Sequence, residues 1–199
     1  MKKNRTSLFA ILAVVVVAAL AFGSRLAVWS GNGEHSPQAS IGGPFTLVDG
    51  DGRTVTERTF LGKWMLIYFG YTFCPDVCPT SLTSVAGALD RLEPAQLDKV
   101  VPILVTVDPV RDTPAVMKDY VAAFHPRMVG LSGSPEQVAA VMKAYKVYAA
   151  RAKGGDDQTY TVDHSSILYL VGPDGRFVAH FPHGTSVDDL HAALVKHLK

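Results

Sequence analysis

The chain has 199 residues, and its 19 Lys and Arg residues nearly balance its 18 Asp and Glu residues, giving a formal net charge of +1. No dense basic stripe is present, so the composition argues against a nucleic-acid partner. No internal repeat or long charge block divides the sequence, and the part beyond residue 43 is long enough for one domain with its own hydrophobic core.

The N-terminal segment has the pattern of a membrane-targeting element. Three basic residues precede an apolar run over residues 8–22, and the basic end of such a run stays in the cytoplasm. The run is short for a bilayer span of about 20 residues, but a snorkelling Arg25 extends it. We predict a cytoplasmic N terminus at residues 1–7 and a single-pass anchor in the inner membrane, or an uncleaved signal, at residues 8–29.

A cleaved signal peptide is the alternative, because small residues lie at suitable spacing inside the run. Both interpretations place the remaining chain outside the cytoplasm, on the periplasmic side. Residues 30–43 are rich in Gly, Ser and Pro and are predicted to form a flexible tether. Residues 44–199 are predicted to form the folded domain.

Alternating strand and helix patterns predict the architecture of this domain. Apolar runs indicate buried strands, and helical spacing of apolar residues or a capping residue before Pro indicates helices. The predicted strands are residues 45–48, 53–56, 64–70, 101–107, 160–162, 167–171 and 177–181. The predicted helices are residues 81–92, 114–124, 134–146 and 187–198. An Asp-Gly-Asp-Gly turn joins the first two strands into a hairpin, and the whole order predicts an α/β fold with a central mixed sheet flanked by helices.

Both cysteines lie in the stretch FGYTFCPDVCP, where a buried strand ends and a helix begins. Open α/β folds usually place their chemistry at such strand ends. At helical spacing, Cys74 and Cys78 share one face with Cβ atoms about 5–6 Å apart. They can then share one soft metal ion or, after a small movement, form a disulfide. Pro75 and Pro79 stiffen the turn, and the helix start is predicted to favour thiolate.

The pattern alone leaves several roles open for this pair. A stabilising disulfide is compatible with an oxidising compartment, but the very short loop gives it little chain entropy to remove. Two inert core thiols fit poorly beside Asp76 and two prolines. A redox switch and a metal clamp remain.

A metal would need a third ligand, for which the seven histidines are candidates. They are His35, His125, His164, His180, His183, His191 and His197. His164 directly precedes an apolar strand, and on spacing alone a histidine there is more often structural than a ligand. The others are predicted to lie in the tether, on the last helix or on the surface.

Three motifs, in this order, resemble the Sco/SenC family. They are CPDVCP at residues 74–79, VDPVRDTP at 107–114 and VDHSSILYLVGPDGRF at 162–177. Members of that family are thioredoxin-like, membrane-anchored copper metallochaperones of cytochrome c oxidase assembly. The resemblance covers residues 41–198, and it implies a thioredoxin-like fold.

The resemblance also implies the ligand set and the partners. Cys74, Cys78 and His164 match the family's copper ligands, whereas Asp76, Asp108 and the Arg111–Asp112 pair match its motifs without a ligand role. Two thiolates and one imidazole suit Cu(I), and an added ligand accommodates Cu(II); a structural zinc would ordinarily need four protein ligands. The implied recipient is the copper-containing subunit of cytochrome c oxidase with its dinuclear CuA site, and another copper chaperone is the implied donor.

Other functions remain as alternatives to this metal carrier. The nearest is a thiol–disulfide oxidoreductase that reduces the cysteines of the oxidase copper site or of other exported proteins. Against it, three residues lie between the cysteines where most thioredoxin-like reductants have two, and residues 163–165 lack the proline that such reductants place opposite the pair. A peroxiredoxin-like peroxidase would carry Thr where Tyr71 stands. A non-catalytic assembly factor would keep its role when the cysteines are replaced by serine.

Overall fold

Nine strands and five α-helices make up residues 41–199, which are the residues that the computed structural model describes. The strands are β1 (Thr46–Asp49), β2 (Thr54–Thr56), β3 (Trp64–Gly70), β4 (Val100–Thr106), β5 (Val129–Ser132), β6 (Ala149–Arg151), β7 (Val162–His164), β8 (Ile167–Val171) and β9 (Phe177–Pro182). The helices are α1 (Val77–Leu89), α2 (Pro94–Leu97), α3 (Pro114–Ala122), α4 (Pro135–Tyr145) and α5 (Val187–His197). A short 3-10 helix spans Glu57–Phe60.

The N-terminal predictions fall outside this range. The cytoplasmic N terminus, the anchor or signal, and most of the tether belong to residues 1–40, so they stay predictions. Within residues 41–199, no helix combines the length and the hydropathy that a membrane crossing requires.

Seven strands form one mixed sheet in the order β2-β1-β5-β4-β3-β8-β9. β3 pairs parallel with β4 and antiparallel with β8, and β4 pairs parallel with β5. β1 pairs antiparallel with both β2 and β5. The predicted mixed sheet flanked by helices is therefore confirmed.

The central strand β3 shows why this sheet needs helices on both sides. Its residues 65–70 are all buried, and successive side chains of a strand point to opposite faces. An uninterrupted apolar run therefore has to be covered twice. Helices α1 and α5 pack against each other, and their residues Leu82, Leu89 and Leu190 belong to the same hydrophobic core as the β3 side chains.

Two loops meet at one edge of the sheet because β3 and β4 run parallel. Gly70 and Thr106, the last residues of these strands, are register partners. The amide of Val107 donates to the carbonyl of Gly70 at 2.8 Å. The cysteine motif and the segment that follows β4 are therefore neighbours in space.

A second, two-stranded sheet formed by β6 and β7 lies outside the main sheet. Its register pairs Ala149 with His164 and Arg151 with Val162. The loop of residues 152–161 closes this hairpin. His164 is therefore held by this separate hairpin and not by a strand of the main sheet.

Two boundaries differ from the predictions for physical reasons. Helix α1 begins at Val77 rather than at residue 81, since Pro79 falls in the first turn, where amides need no intrahelical partner. The strand predicted at residues 160–162 is observed at 162–164, because the backbone groups of Tyr160 are bonded elsewhere: its amide donates to the carbonyl of Asp156 at 3.1 Å, and its carbonyl accepts from Arg111 at 2.9 Å. Strands β5 and β6, with four and three residues, and the four-residue helix α2 were not predicted from the sequence.

Candidate metal centre

Three separate segments bring Cys74, Cys78 and His164 together. Cys74 lies in the loop between β3 and α1, Cys78 is the second residue of α1, and His164 ends β7. Their sulfur and imidazole nitrogen atoms all lie within 4.8 Å of one another. Within residues 41–199, no other group of three or more His, Cys, Asp or Glu side chains could hold a metal ion.

The helix start contacts the cysteine pair directly. The backbone amide of Cys78 donates to Sγ of Cys74 at 3.4 Å. Both cysteines are free thiols; Cys78 is buried and Cys74 is half-buried. The first turn of α1 therefore directs a backbone N–H at the sulfur of Cys74.

Burial opposes the thiolate at Cys78. Loss of solvent around this side chain is the largest influence, and it raises the pKa of the Cys78 thiol well above its ordinary value. The prediction that the helix start favours thiolate is therefore wrong for Cys78 in the metal-free protein. The sequence could not show this, because burial depends on how α1 packs against β3.

His164 presents its Nε2 lone pair to the thiols. Its Nδ1 lies 3.3 Å from the carbonyl oxygen of Ser165, and because a carbonyl only accepts, Nδ1 carries the proton. Nε2 lies 3.3 Å from Sγ of Cys78. Burial lowers the pKa of His164, so the neutral imidazole is favoured and Nε2 is free to accept a proton or bind a metal.

Two tyrosine rings fix the plane of this imidazole. Tyr68 and Tyr71 meet the His164 ring edge to face, at centroid distances of 6.2 and 5.7 Å. Both tyrosines are buried. Neither tyrosine was predicted to have a role in the site, although Tyr68 lies in β3 and Tyr71 directly follows it.

This donor set matches the chemistry of a soft metal ion. Typical bonds from zinc to thiolate or imidazole are about 2.0–2.3 Å, so atoms within 4.8 Å of one another need only a small movement to share one ion. Thiolate and imidazole are ligands that Cu(I) and zinc accept, whereas carboxylates suit harder cations. Asp76 is exposed and accepts a hydrogen bond from the Thr80 hydroxyl, so it does not join the cluster.

The other described histidines do not belong to this cluster. They are His125, His180, His183, His191 and His197. His125 is buried, and its Nδ1 accepts from the amide of Arg127 at 3.1 Å. His183 is exposed at the surface, with Nδ1 3.1 Å from the hydroxyl of Ser81. His35 lies outside the described residues.

The profile of the SCO1/SenC family matches residues 33–199. The chain belongs to this family. The resemblance seen in the three motifs is therefore confirmed, and the match includes Cys74, Cys78 and His164.

Similar proteins come from plants and bacteria. A curated relative, the mitochondrial protein SCO1 homolog 1 of Arabidopsis thaliana, is 41% identical over 167 residues, covering 84% of this chain and 50% of the relative. The copper-bound structure of ScoI from Bradyrhizobium japonicum is 45% identical, with a TM-score of 0.71 and coverage of 79% of this chain and 99% of that one. BsSco, a member of the Sco family of cytochrome c oxidase assembly proteins with an identified disulfide switch, is 26% identical with a TM-score of 0.64, covering 82% and 96%.

The chain spans about half the length of the first curated relatives that it matches. The Sco structures, in contrast, are covered almost completely. The common part is the described domain, and its agreement with them supports the thioredoxin-like fold that the resemblance implies.

One hydrogen bond joins the cysteine loop to the hairpin that carries His164. The amide of Val162 donates to the hydroxyl of Tyr71 at 3.0 Å, and both groups are buried. We expect Tyr71→Phe to leave this amide unpaired and to lower the free energy of unfolding by roughly 1–3 kcal/mol. Urea denaturation of the metal-free protein measures this change.

Tyr120→Phe is the matched control for this substitution. The hydroxyl of Tyr120 is buried without a hydrogen-bond partner among the described residues. Its removal is expected to leave stability unchanged or slightly higher, because no bond is lost. Equal destabilisation by both substitutions would show that the Tyr71–Val162 bond contributes nothing specific.

Proposed function

We propose that the protein is a copper metallochaperone that binds one copper ion through Cys74, Cys78 and His164 and delivers it to the CuA site of cytochrome c oxidase. The observation that carries this proposal is the convergence of two sulfurs and one imidazole nitrogen within 4.8 Å. The copper-bound ScoI relative and the membership of BsSco in a family of oxidase assembly proteins support it.

The exposure of the site suits a carrier. Cys74 and His164 are half-buried and line an open cavity of about 370 Å³. Three protein ligands leave coordination positions free on copper. A ligand from the recipient can therefore reach the ion and replace the donor atoms one after another.

Proton release accompanies loading of the site. A thiol binds metal as thiolate, so copper binding must displace the proton of Cys78. His164 needs no such step, because its neutral imidazole already offers Nε2. Copper retention is therefore expected to compete with protons mainly at the sulfurs.

The proposed place of action is the periplasmic side of the inner membrane. The predicted anchor at residues 8–29 and tether at residues 30–43 would hold the domain close to the oxidase subunit. Such a connection raises the effective concentration of the domain near a membrane-bound recipient without adding any contact. Another copper chaperone would load the site.

Copper titration of the reduced full chain against a competing Cu(I) chelator tests the proposed function. One tightly held ion per chain is expected, followed by its movement to a copper-free oxidase copper-subunit domain when the two proteins are mixed. Failure to compete with the chelator would overturn the carrier function. Binding without transfer would restrict it to copper storage.

A thiol–disulfide reductant is the second candidate function. The supporting observations are the half-buried free thiol of Cys74, the amide that approaches its sulfur, and the disulfide switch identified in BsSco. This function predicts that the reduced chain converts a disulfide in the copper-free oxidase subunit to two thiols while forming its own Cys74–Cys78 disulfide. The same reaction in His164→Ala would separate the two functions, because the reductant needs no imidazole ligand.

A further inference from the structure

The segment between β4 and α3, residues 107–113, contacts both halves of the metal centre without supplying a ligand. It contains Arg111 and Asp112, whose side chains are largely withdrawn from solvent. Both ends of the segment are fixed by hydrogen bonds. At its start, the amide of Val107 donates to the carbonyl of Gly70. At its end, the hydroxyl of Thr113 accepts from the amide of Val116 in the first turn of α3. The segment is therefore a rigid base from which side chains can reach neighbouring loops.

Asp112 fixes the loop that carries the cysteines. This side chain is fully buried, and its Oδ2 accepts from the Thr72 amide at 3.0 Å and from the Thr106 hydroxyl at 2.7 Å. Its Oδ1 accepts from the Thr72 hydroxyl at 2.5 Å. Thr72 is two residues before Cys74, and Thr106 ends β4. The carboxylate therefore attaches the start of the cysteine loop to the end of a central strand.

Arg111 fixes the hairpin that carries His164. Its Nη1 donates to the carbonyl oxygen of Tyr160 at 2.9 Å, and its guanidinium carbon lies 3.6 Å from the centroid of the Tyr160 ring. Its Nε donates to Asp108, whose other oxygen accepts from the Tyr160 hydroxyl. Tyr160 stands two residues before β7, the strand that ends at His164.

The same guanidinium also reaches the cysteine loop. Its carbon lies 4.8 Å from the ring centroid of Phe73, the residue before Cys74. Arg111 therefore contacts both Phe73, which precedes Cys74, and Tyr160, which lies shortly before the strand that ends at His164. A lysine could not replace it, because only the planar guanidinium combines several fixed donors with stacking on aromatic rings.

We propose that Arg111 and Asp112 are paired positioning residues: Asp112 sets the cysteine loop, and Arg111 sets the His164 hairpin against it. The ligands come from segments far apart in sequence, so their mutual distances depend on these contacts. Groups that orient metal ligands typically contribute 10–100-fold to metal affinity. This inference rests on the proposed copper-binding function for its affinity test, but the contacts are also measurable in the metal-free protein.

The affinity test compares Arg111→Lys, Thr72→Val and Ser132→Ala in the reduced full chain, with Cu(I) and a competing chelator. We expect Arg111→Lys and Thr72→Val each to weaken copper binding about tenfold. Ser132→Ala is the matched control, because its buried hydroxyl donates to the backbone oxygen of Asp112 at 2.5 Å and touches neither ligand segment. We expect it to leave the affinity within about twofold.

A second set of variants carries His164→Ala and separates positioning from general stability. If Arg111 acts mainly through His164, Arg111→Lys should have a much smaller effect on copper affinity once the imidazole is absent, with the contact to Phe73 as the remaining contribution. Thr72→Val should keep its effect, because the cysteines remain. An unchanged effect of Arg111→Lys in both backgrounds, or an equal loss in Ser132→Ala, would overturn the proposal.

Amide hydrogen exchange of the metal-free full chain supplies the measurement that does not depend on copper. Arg111→Lys is expected to speed exchange at Val162, and Thr72→Val at Cys74, each more than at the other site. If wild type fails to bind copper, the proposed function falls while these rates still decide the positioning roles. Exchange that rises equally at the amides of Val162 and Cys74 in all three variants would overturn the positioning roles.

Discussion

Replacing Cys78 with serine is expected to lower the Cu(I) affinity of the chain by more than about a hundredfold, since even residues that only orient a ligand contribute 10–100-fold. Cys78 contacts both other members of the cluster: its amide donates to Sγ of Cys74, and its sulfur lies 3.3 Å from Nε2 of His164. A serine hydroxyl is a harder and far less acidic donor than a thiol, and it does not replace thiolate on Cu(I). Competition with a Cu(I) chelator measures the loss.

Two controls keep this result separate from misfolding. Ser81→Ala changes another buried side chain of α1, one turn further along, and is expected to retain copper. Cys74→Ser removes the half-buried thiol, where a serine is easily accommodated, and is expected to lose copper like the Cys78 variant. Full affinity in either serine variant would show that the removed sulfur is not a ligand.

The central strands were predicted from the sequence because their burial is complete. β3 and β8 have the predicted bounds, residues 64–70 and 167–171. A strand covered on both faces reads as a continuous apolar run, which few other local structures produce at this length.

β5 was not predicted because its position depends on tertiary packing and not on the local sequence pattern. It has four residues including Gly130, which lowers any strand propensity. A Cβ atom at residue 130 would lie 2.8 Å from the carbonyl oxygen of Met117 in α3. The glycine is needed for the close packing of a helix that the local pattern does not reveal.

The metal centre was only partly predictable for a related reason. The spacing of Cys74 and Cys78 is local, so the sequence alone shows that they share a helix start. His164 lies 86 residues beyond Cys78, and only the resemblance pointed to it. The bond from Thr72 to Asp112 spans 40 residues, and no pattern within either motif indicates that the two side chains meet.

Replacing His164 with alanine is expected to lower Cu(I) affinity about a hundredfold, which corresponds to about 2.8 kcal/mol. The loss should be smaller than for Cys78, because two thiolates still bind the soft ion. The imidazole contributes through Nε2, whose lone pair is directed at the thiols by the bond from Nδ1 to Ser165. The truncation also leaves a space between the rings of Tyr68 and Tyr71.

That space provides a direct test of the ligand role. Free imidazole added to His164→Ala is expected to enter it and to recover part of the lost affinity, whereas a variant that had merely lost stability would not respond. His183→Ala is the matched control, since His183 also has one side-chain hydrogen-bond contact and is outside the cluster; its copper affinity should equal that of wild type with or without imidazole. If His164→Ala binds copper as tightly as wild type, copper is held by the two thiolates alone. The imidazole beside Cys78 would then accept the thiol proton and not bind the metal.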